Sequence, residues 1–229
     1  EKYIAKTLEA VMVLDYPNYE VIVADNCSTD NTKQIVSSFK NVILVDALNR
    51  GSSFARQEAW KNATGDIIVQ LDADCIPNTN WLKKGVSYFK DERISGVYGA
   101  YYYYDANIFL RYFTYIFGVW IMFPFSQFMN YFSKTNATAL GGNFFIRASA
   151  MSKAGGYDTS ILFYGDDTDT AKRIKQYGRI VYDPFLFVKS SCRRFTKLGF
   201  FKTMYLYISN NMYVNIFNKP CRNKYSEPV

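Results

Sequence analysis

Two aspartates separated by one residue, Asp72 and Asp74, are the first candidates for chemistry. They follow an apolar run at residues 67–71 that is typical of a buried strand. Side chains at i and i+2 of an extended segment point to the same side, so both carboxylates can face one cation. Mg²⁺ and Mn²⁺ often take one or two carboxylates together with phosphate oxygens of a substrate. A polar turn that caps the next helix is the alternative.

The composition restricts the other chemistry that this chain can perform. Among 229 residues there is no His, and the four Cys lie far apart without a Cys-x-x-Cys pair. This argues against a zinc site and rules out a Ser-His or Cys-His nucleophile, which leaves carboxylates as general bases. A net charge of +7 and 18% aromatic residues suit phosphate-rich ligands or an anionic membrane surface. The sequence has no basic-aromatic module of the kind that binds RNA, so no nucleic acid partner is expected.

The elements that must position the acidic pair alternate along the first hundred residues. Apolar runs at residues 20–24, 42–45 and 67–71 predict strands, and the segments between them have helical patterns. This alternation predicts a parallel sheet covered on both faces. Ligands of such sheets bind at the carboxyl ends of strands, where this chain places Asp25, Asn49 and Asp72.

The second half of the chain has a mixed pattern. Strands are predicted at residues 97–104, 144–146 and 180–182, and an acidic cluster at 166–169 opens a helix through residue 177. An uncharged, aromatic stretch covers residues 112–133. The length favours one domain, and the opening Glu1-Lys2-Tyr3, which lacks Met, indicates a piece of a longer protein.

Six stretches of the sequence together resemble the family 2 glycosyltransferases, which have the GT-A fold. They occur in the family's order and are residues 20–32 (EVIVADNCSTDNT), 49–51 with 55–56, 65–77 (GDIIVQLDADCIP), 141–143 (GGN), 155–158 (GGYD), and 165–169 (GDDTD) with Arg173. The resemblance implies an α/β three-layer sandwich around a mostly parallel sheet. The family's first strand, one wall of the base pocket, has no counterpart here.

The resemblance also implies roles in binding a nucleotide-sugar donor. Asp25 would accept the ring N–H of a uracil base, and Arg56 would lie near the base or the pyrophosphate. Asp72 would lie near the ribose and the metal, and Asp74 would ligate Mn²⁺ or Mg²⁺ directly. The alternatives are a capping or turn aspartate for Asp25 and an exposed helical arginine for Arg56.

For the transfer step, Asp167 matches the second acidic position of the family's motif and is the candidate general base. Asp166 is the neighbour that could raise its pKa by like charge. Both could instead be first-turn residues stabilised by the helix dipole. Gly142 and Asn143 would approach the donor sugar, unless residues 141–143 are only a turn before a strand. The pair Gly155-Gly156 is expected to be structural.

The resemblance and the hydrophobic pattern together predict the organisation of the chain. Residues 1–192 form the catalytic domain, with a nucleotide-binding half at 1–100 and an acceptor half at 101–192. A single membrane crossing at 112–133 would separate Asp74 from Asp167, so we expect an interfacial segment at 108–133 instead. Residues 193–229, basic and aromatic, are expected to lie near the membrane. Burial of these segments against each other or against another part of the protein is the alternative.

The sequence therefore predicts an inverting transfer of a sugar from a UDP-type donor to a glycan or lipid-linked acceptor. The enzyme would act at the cytoplasmic face of a membrane, bound peripherally or anchored by parts outside this chain. The Gln-x-x-Arg-Trp motif of processive members is absent, which favours single-sugar transfer. Ser190-Ser191-Cys192 stands where many members have a metal-binding histidine. A sugar-nucleotide nucleotidyltransferase and a catalytically silent nucleotide- or membrane-binding module are the competing hypotheses.

Overall fold

A computed structural model describes residues 1–117, 120, 121, 123, 124, 128, 133 and 136–222 of the chain. The first half alternates as the sequence predicts, because each apolar run becomes a strand and each amphipathic run a helix. Its elements are α1 (Ile4–Met12), β1 (Val21–Asp25), α2 (Thr32–Ser37), β2 (Val42–Asp46), α3 (Ser52–Lys61), β3 (Ile67–Leu71) and α4 (Trp81–Ser87).

The second half has longer strands and several short helices. Its elements are β4 (Ile94–Tyr103), α5 (Ile108–Phe117), β5 (Asn143–Arg147), α6 (Ala148–Lys153), α7 (Asp166–Lys175), β6 (Arg179–Ser190), α8 (Arg193–Leu198) and α9 (Phe200–Phe217). β6 extends well beyond the predicted residues 180–182. It contains Pro184, and its register with β4 shifts between Gly99 and Tyr101, which places the proline at an irregularity of the ladder.

The strands form two sheets in the described part of the chain. β1 and β2 pair in parallel, and the second sheet has the order β3-β5-β4-β6. β5 runs antiparallel to both its neighbours, whereas β4 and β6 are parallel. The predicted mostly parallel α/β arrangement is confirmed, with β5 as the reversed strand. Its reversal follows from the connection: the long excursion that includes α5 enters β5 at the same end of the sheet where β4 ends, so the two strands run in opposite directions.

A cavity of about 760 Å³ separates the two sheets. Its walls are the facing edges of β1 and β3, with α1 on one side and α3 on the other, and Arg56, Asp72 and Gly141 lie among its lining residues. Within the described residues, neither β1 nor β3 has a strand partner on this side. The cavity therefore divides the first half of the chain, between two strand edges that are open to a further strand.

The densest packing lies around β5. Phe144, Phe145 and Ile146 are fully buried, and the Phe145 ring contacts Trp81 edge to face at 4.8 Å. A Cβ on Gly85 of α4 would collide with the Phe145 ring, so only glycine permits this approach. The four-stranded sheet is consequently a rigid base for the residues at its ends.

The segment predicted to be interfacial is only partly described. Helix α5 covers residues 108–117, and most of the remainder up to residue 133 lies outside the described residues. In the portions that the structure describes, no helix has both the length and the apolar character required to cross a bilayer.

Candidate active site

Asp25 ends β1 and lies on a tight turn. Its Oδ2 accepts a hydrogen bond from the Ser28 N–H at 3.1 Å, and Lys33 Nζ lies 3.5 Å from the same oxygen. The other oxygen, Oδ1, is buried and has no hydrogen-bond partner in the described part of the chain. A buried carboxylate oxygen without a partner is costly, which makes it a good acceptor for a ligand N–H.

Asp72 and Asp74 leave β3 as predicted, and their carboxylates lie close together. A ligand atom from each of these two and the Cys75 sulfur all lie within 4.8 Å of one another. Burial raises the pKa of the Cys75 thiol well above its usual range, so it remains protonated and is a poor ligand for a hard cation. The two carboxylates are therefore the groups that fit Mg²⁺ or Mn²⁺, with most positions left for phosphate oxygens or water.

Arg56 on α3 connects this pair to the second acidic cluster. Its guanidinium forms an ion pair with Asp166 at the start of α7 and lies 3.4 Å from Asp72 Oδ1. Ser52, one turn earlier on α3, donates a hydrogen bond of 2.8 Å to Asp166 Oδ2. The predicted Arg56 thus lies centrally in the site. Asp166 holds it through Oδ2, and its Oδ1 accepts the Asp167 N–H at 3.0 Å.

Asp167 is available for different chemistry. Its Oδ2 accepts the Gly141 N–H at 3.0 Å, and its Oδ1 accepts the N–H of Thr168 at 2.8 Å. Burial and the neighbouring Asp166 carboxylate raise the pKa of Asp167 to about 6, against the lowering effect of Arg56. A carboxylate with this pKa is ionised at neutral pH and still basic enough to accept a proton.

The glycine pair before β5 brings backbone into the space between these groups. A Cβ at Gly141 would lie 2.6 Å from an Arg56 nitrogen, and one at Gly142 would collide with the Asp72 carboxylate. The Gly142 N–H donates to the Tyr101 hydroxyl at 2.7 Å. Side chains at these positions would displace the acidic and basic groups, so the site requires both glycines.

Asn143 does not reach the site. Its side chain is fully buried, accepts a hydrogen bond from Trp81 Nε1 at 3.0 Å, and donates to the carbonyls of Ala100 and Leu186. The side-chain amide thus joins α4, β4 and β6, and the expected approach of Asn143 to a donor sugar stays a prediction for its backbone. The sequence around the glycine pair does not distinguish a buried Asn143 side chain from an exposed one. Gly156 packs on Gln57, in keeping with the structural role expected of residues 155–156.

Sequence reasoning missed Arg193 of α8. Its Nε lies 2.9 Å from Asp74 Oδ2, and its guanidinium stacks 4.8 Å above the Tyr3 ring. Burial raises the pKa of Asp74, and the Arg193 cation opposes that effect. The run Arg193-Arg194 was a visible signal, but its pairing with Asp74 depends on where β6 ends.

The geometry defines a class of protein that solved structures share. The fold resembles the mannosyltransferase PcManGT from Pyrobaculum calidifontis in complex with GDP-Man and Mn²⁺, with a TM-score of 0.69 and 24% identity over 95% of this chain and 59% of that one. It also resembles TarS residues 1–349 of S. aureus in complex with UDP-GlcNAc, with a TM-score of 0.57 and 20% identity over 83% of this chain and 55% of that one. These are glycosyltransferases of the GT-A fold.

Sequence comparison then gives the family. The profile of Glycosyl transferase family 2 matches residues 1–155, and the chain belongs to this family. It is 41% identical over 91 residues to glycosyltransferase AglE of Haloferax volcanii, covering 37% of this chain and 30% of AglE. It is 34% identical over 104 residues to the UDP-Glc:alpha-D-GlcNAc-diphosphoundecaprenol beta-1,3-glucosyltransferase WfgD of Escherichia coli, covering 44% of this chain and 41% of WfgD. The chain thus spans less than half the length of these relatives.

Proposed function

We propose that residues 1–192 are the catalytic domain of an inverting glycosyltransferase that uses a nucleoside diphosphate sugar, with UDP favoured, and a divalent metal. The observation that carries the proposal is the position of Arg56, which contacts Asp72 beside Asp74 and also Asp166 beside Asp167. A single guanidinium therefore holds a candidate metal pair and a candidate base around one space. Residues 1–100 would bind the nucleotide and residues 101–192 the acceptor.

The preference for uracil rests on Asp25. One carboxylate oxygen already accepts the Ser28 N–H, and the other is buried with no partner among the residues that the structure describes. Uracil offers a single ring N–H to such an acceptor, whereas guanine offers two N–H groups on the same edge. The relatives differ in this respect, since the PcManGT complex contains GDP-Man and a TarS complex contains UDP-GlcNAc.

The metal would be held by Asp74 and Asp72, and when bound it would offset the charge that develops on the departing diphosphate. Asp167 would remove the proton from the acceptor hydroxyl as its oxygen attacks the anomeric carbon. The new carbon–oxygen bond forms on the face opposite the bond to the diphosphate, which breaks with its electron pair. A single displacement of this kind inverts the anomeric configuration.

A thermal-shift panel of UDP-, GDP- and dTDP-sugars with and without Mn²⁺ tests donor and metal together. A ligand at 100 times its Kd stabilises by about 2.7 kcal/mol. For a domain of this size that is roughly 5–10 °C in Tm. We expect this shift for UDP-sugars with Mn²⁺, its loss in Asp74→Asn, and its retention in Asp66→Asn at the other end of β3. A larger shift with GDP-sugars would refute the uracil assignment, and equal shifts in both variants would refute the metal pair.

We also propose that the acceptor is glycan or lipid-linked and that the enzyme works on the cytoplasmic face of a membrane. WfgD is named for a lipid-linked acceptor, a diphosphoundecaprenol glycan. In this chain, the residues that support contact with a membrane lie on α5 and α9, which expose large apolar side chains. They are Ile108, Phe109, Tyr112 and Ile116 on α5, and Phe201, Tyr205, Ile208, Met212 and Ile216 on α9.

This apolar surface has a charge pattern that suits anionic lipid headgroups. The Phe113 and Phe200 rings lie 5.8 Å apart and connect the two helices. The sequence has no acidic residue between Asp105 and Asp158 or between Asp183 and Glu227. Lys202 and Lys219 lie exposed near the ends of α9. Aromatic side chains beside cations bind the interface of an anionic leaflet, as on the cytoplasmic side of membranes.

Cosedimentation with vesicles of phosphatidylcholine alone or with phosphatidylserine tests the membrane proposal. We expect binding to the anionic vesicles, reduced about tenfold in Phe201→Asp, because an exposed aromatic ring that would enter the lipid interface is replaced by a charge that the anionic lipid repels. Leu48→Asp is the matched control, since Leu48 is 87% and Phe201 86% exposed and Leu48 belongs to the β2–α3 loop. Equal binding of the two variants would show that α9 is not the contact surface.

A further inference from the structure

The start of α8 is anchored so that Arg193 points at Asp74. Asp105 accepts hydrogen bonds from the Ser191 hydroxyl at 2.6 Å and from the Cys192 N–H at 2.7 Å, directly before the helix begins. Although burial acts to raise it, these hydrogen bonds hold the pKa of Asp105 below its usual value. The carboxylate is thus ionised and fixes the residues before Arg193.

The two carboxylates of the candidate metal pair are balanced by different arginines. Asp72 faces Arg56, whose stronger partner is Asp166. Asp74 faces Arg193, for which Asp74 is the acidic partner that the structure records. Asp74 is the less exposed of the pair, with 11% of its side chain accessible against 49% for Asp72. Of the two arginines, Arg193 is therefore the one that a metal on Asp74 would have to replace.

We propose that Arg193 is a positioning residue that occupies the cation position on Asp74 until a divalent metal displaces it. The inference rests on the proposed metal site. Asp74 Oδ2 cannot accept the guanidinium N–H and ligate a cation in the same direction, and two cations at that oxygen would repel each other. The Tyr3 ring, 4.8 Å from the guanidinium carbon, would keep the displaced side chain near the site.

This arrangement makes metal affinity depend on the Asp74–Arg193 pair. If the pair is closed about nine-tenths of the time, the apparent affinity for metal is about one-tenth of the intrinsic value. Removing the arginine cation should then tighten metal binding. A purely structural ion pair predicts the opposite sign, because loss of Arg193 would loosen the position of Asp74 and weaken binding.

Mn²⁺ binding to the full chain, measured by electron paramagnetic resonance without nucleotide at pH 8, tests this sign. We expect about tenfold tighter binding in Arg193→Gln than in the parent protein. Lys197→Gln removes a cation one turn further along α8 and should change the affinity by less than about twofold. Arg193→Lys keeps a cation beside Asp74 and should stay close to the parent value.

The outcomes separate this proposal from the metal site on which it rests. Equal Mn²⁺ binding by the parent protein and Asp74→Asn would overturn the metal site and the displacement with it. If Asp74→Asn loses binding while Arg193→Gln binds as the parent or more weakly, the metal site stands and the displacement is refuted. Equally tighter Mn²⁺ binding in Lys197→Gln would show that only the net charge of the protein matters, and it would also refute the displacement of Arg193. A thermal melt of each variant confirms that it is folded.

Discussion

The two sheets of this molecule differ in how completely they are buried. β5, in the middle of the four-stranded sheet, has four of its five residues buried, whereas β1 has one buried residue and β2 has none. The cavity lies between them, along the edges of β1 and β3. The four-stranded sheet thus has a closely packed core, and the two-stranded sheet is supported mainly by α1, α2 and α3.

This difference matches the demands on the residues that each sheet positions. Asp72 and Asp74 follow β3, which has only Gln70 buried but pairs along its whole length with β5, and Asp167 lies on α7, which packs on the larger sheet. In the proposed reaction, bond formation requires fixed distances between these groups. Asp25 stands on the smaller sheet, where it is expected to contact only the base. In the proposed function, the residues for chemistry therefore lie on the more closely packed sheet, and the residue that would recognise the base lies on the less closely packed one.

The largest expected effect is at Asp167, on the rigid half. Asp167→Asn should lower kcat about a thousandfold and leave the donor KM nearly unchanged, because a general base contributes between ~10² and ~10⁴ to the rate. Steady-state release of the nucleoside diphosphate in the presence of acceptor measures it. Asp158→Asn, in the loop before α7, should retain activity. A kcat within threefold of the parent value in Asp167→Asn would remove its role as the base.

A packing test compares the two sheets directly. Ile146→Ala in β5 should reduce the free energy of unfolding by about 3 kcal/mol, because Ile146 is fully buried and its loss leaves a cavity. Ile43→Ala in β2 should cost less than about 1 kcal/mol, since Ile43 is 44% exposed. Urea denaturation measures both values. Similar losses would mean that the smaller sheet is as tightly packed as the larger one.

The sequence predicted the parts of this arrangement that depend on local pattern. The run at residues 67–71 is apolar at every position except Gln70, so β3 and the position of Asp72 at its end followed directly from it. The reversal of β5 was not predictable, because an apolar strand has the same pattern in either direction. The burial of the Asn143 amide was not predictable for a related reason, since a polar residue after two glycines has the same appearance whether it is buried or exposed. The contact of Arg193 with Asp74 depends on the length and irregular register of β6, which no local pattern encodes.

A smaller effect is expected at Asp25, on the open half. Asp25→Asn should weaken UDP binding by about 1.5 kcal/mol, or roughly tenfold, because a hydrogen bond to a charged acceptor is lost. Asp46→Asn is the matched control, since Asp46 is the register partner of Asp25 at the end of β2 and is also paired with Lys33. Calorimetric titration with UDP and Mn²⁺ measures both. If both variants bind equally, the orphaned Oδ1 of Asp25 is not the base acceptor, and recognition must reside elsewhere.

The smallest effect is a shift along the pH axis, and it tests whether the rigid half tunes its own base. With the pKa of Asp167 at about 6, kcat should fall tenfold per pH unit well below pH 6, because the base is then protonated. Asp166→Asn removes a like charge and frees Arg56 to face Asp167, and both changes lower the pKa of Asp167. The acid limb of kcat should therefore move to lower pH by about one unit, whatever the change in the plateau rate.

Metal release from Asp72 and Asp74 could also produce an acid limb, and the two causes respond differently to Mn²⁺. A limb that arises from protonation of metal ligands moves to lower pH as Mn²⁺ increases, because the metal competes with protons for the same carboxylates. A limb set by Asp167 stays in place once the metal is saturating. The acid limb of kcat is measured at two saturating Mn²⁺ concentrations in the parent protein and in Asp166→Asn. A limb that does not move with Mn²⁺ but moves in Asp166→Asn is assigned to the Asp166–Asp167 pair. A limb that stays unchanged in Asp166→Asn would mean that neither the charge of Asp166 nor the release of Arg56 from its ion pair sets the pKa of the base.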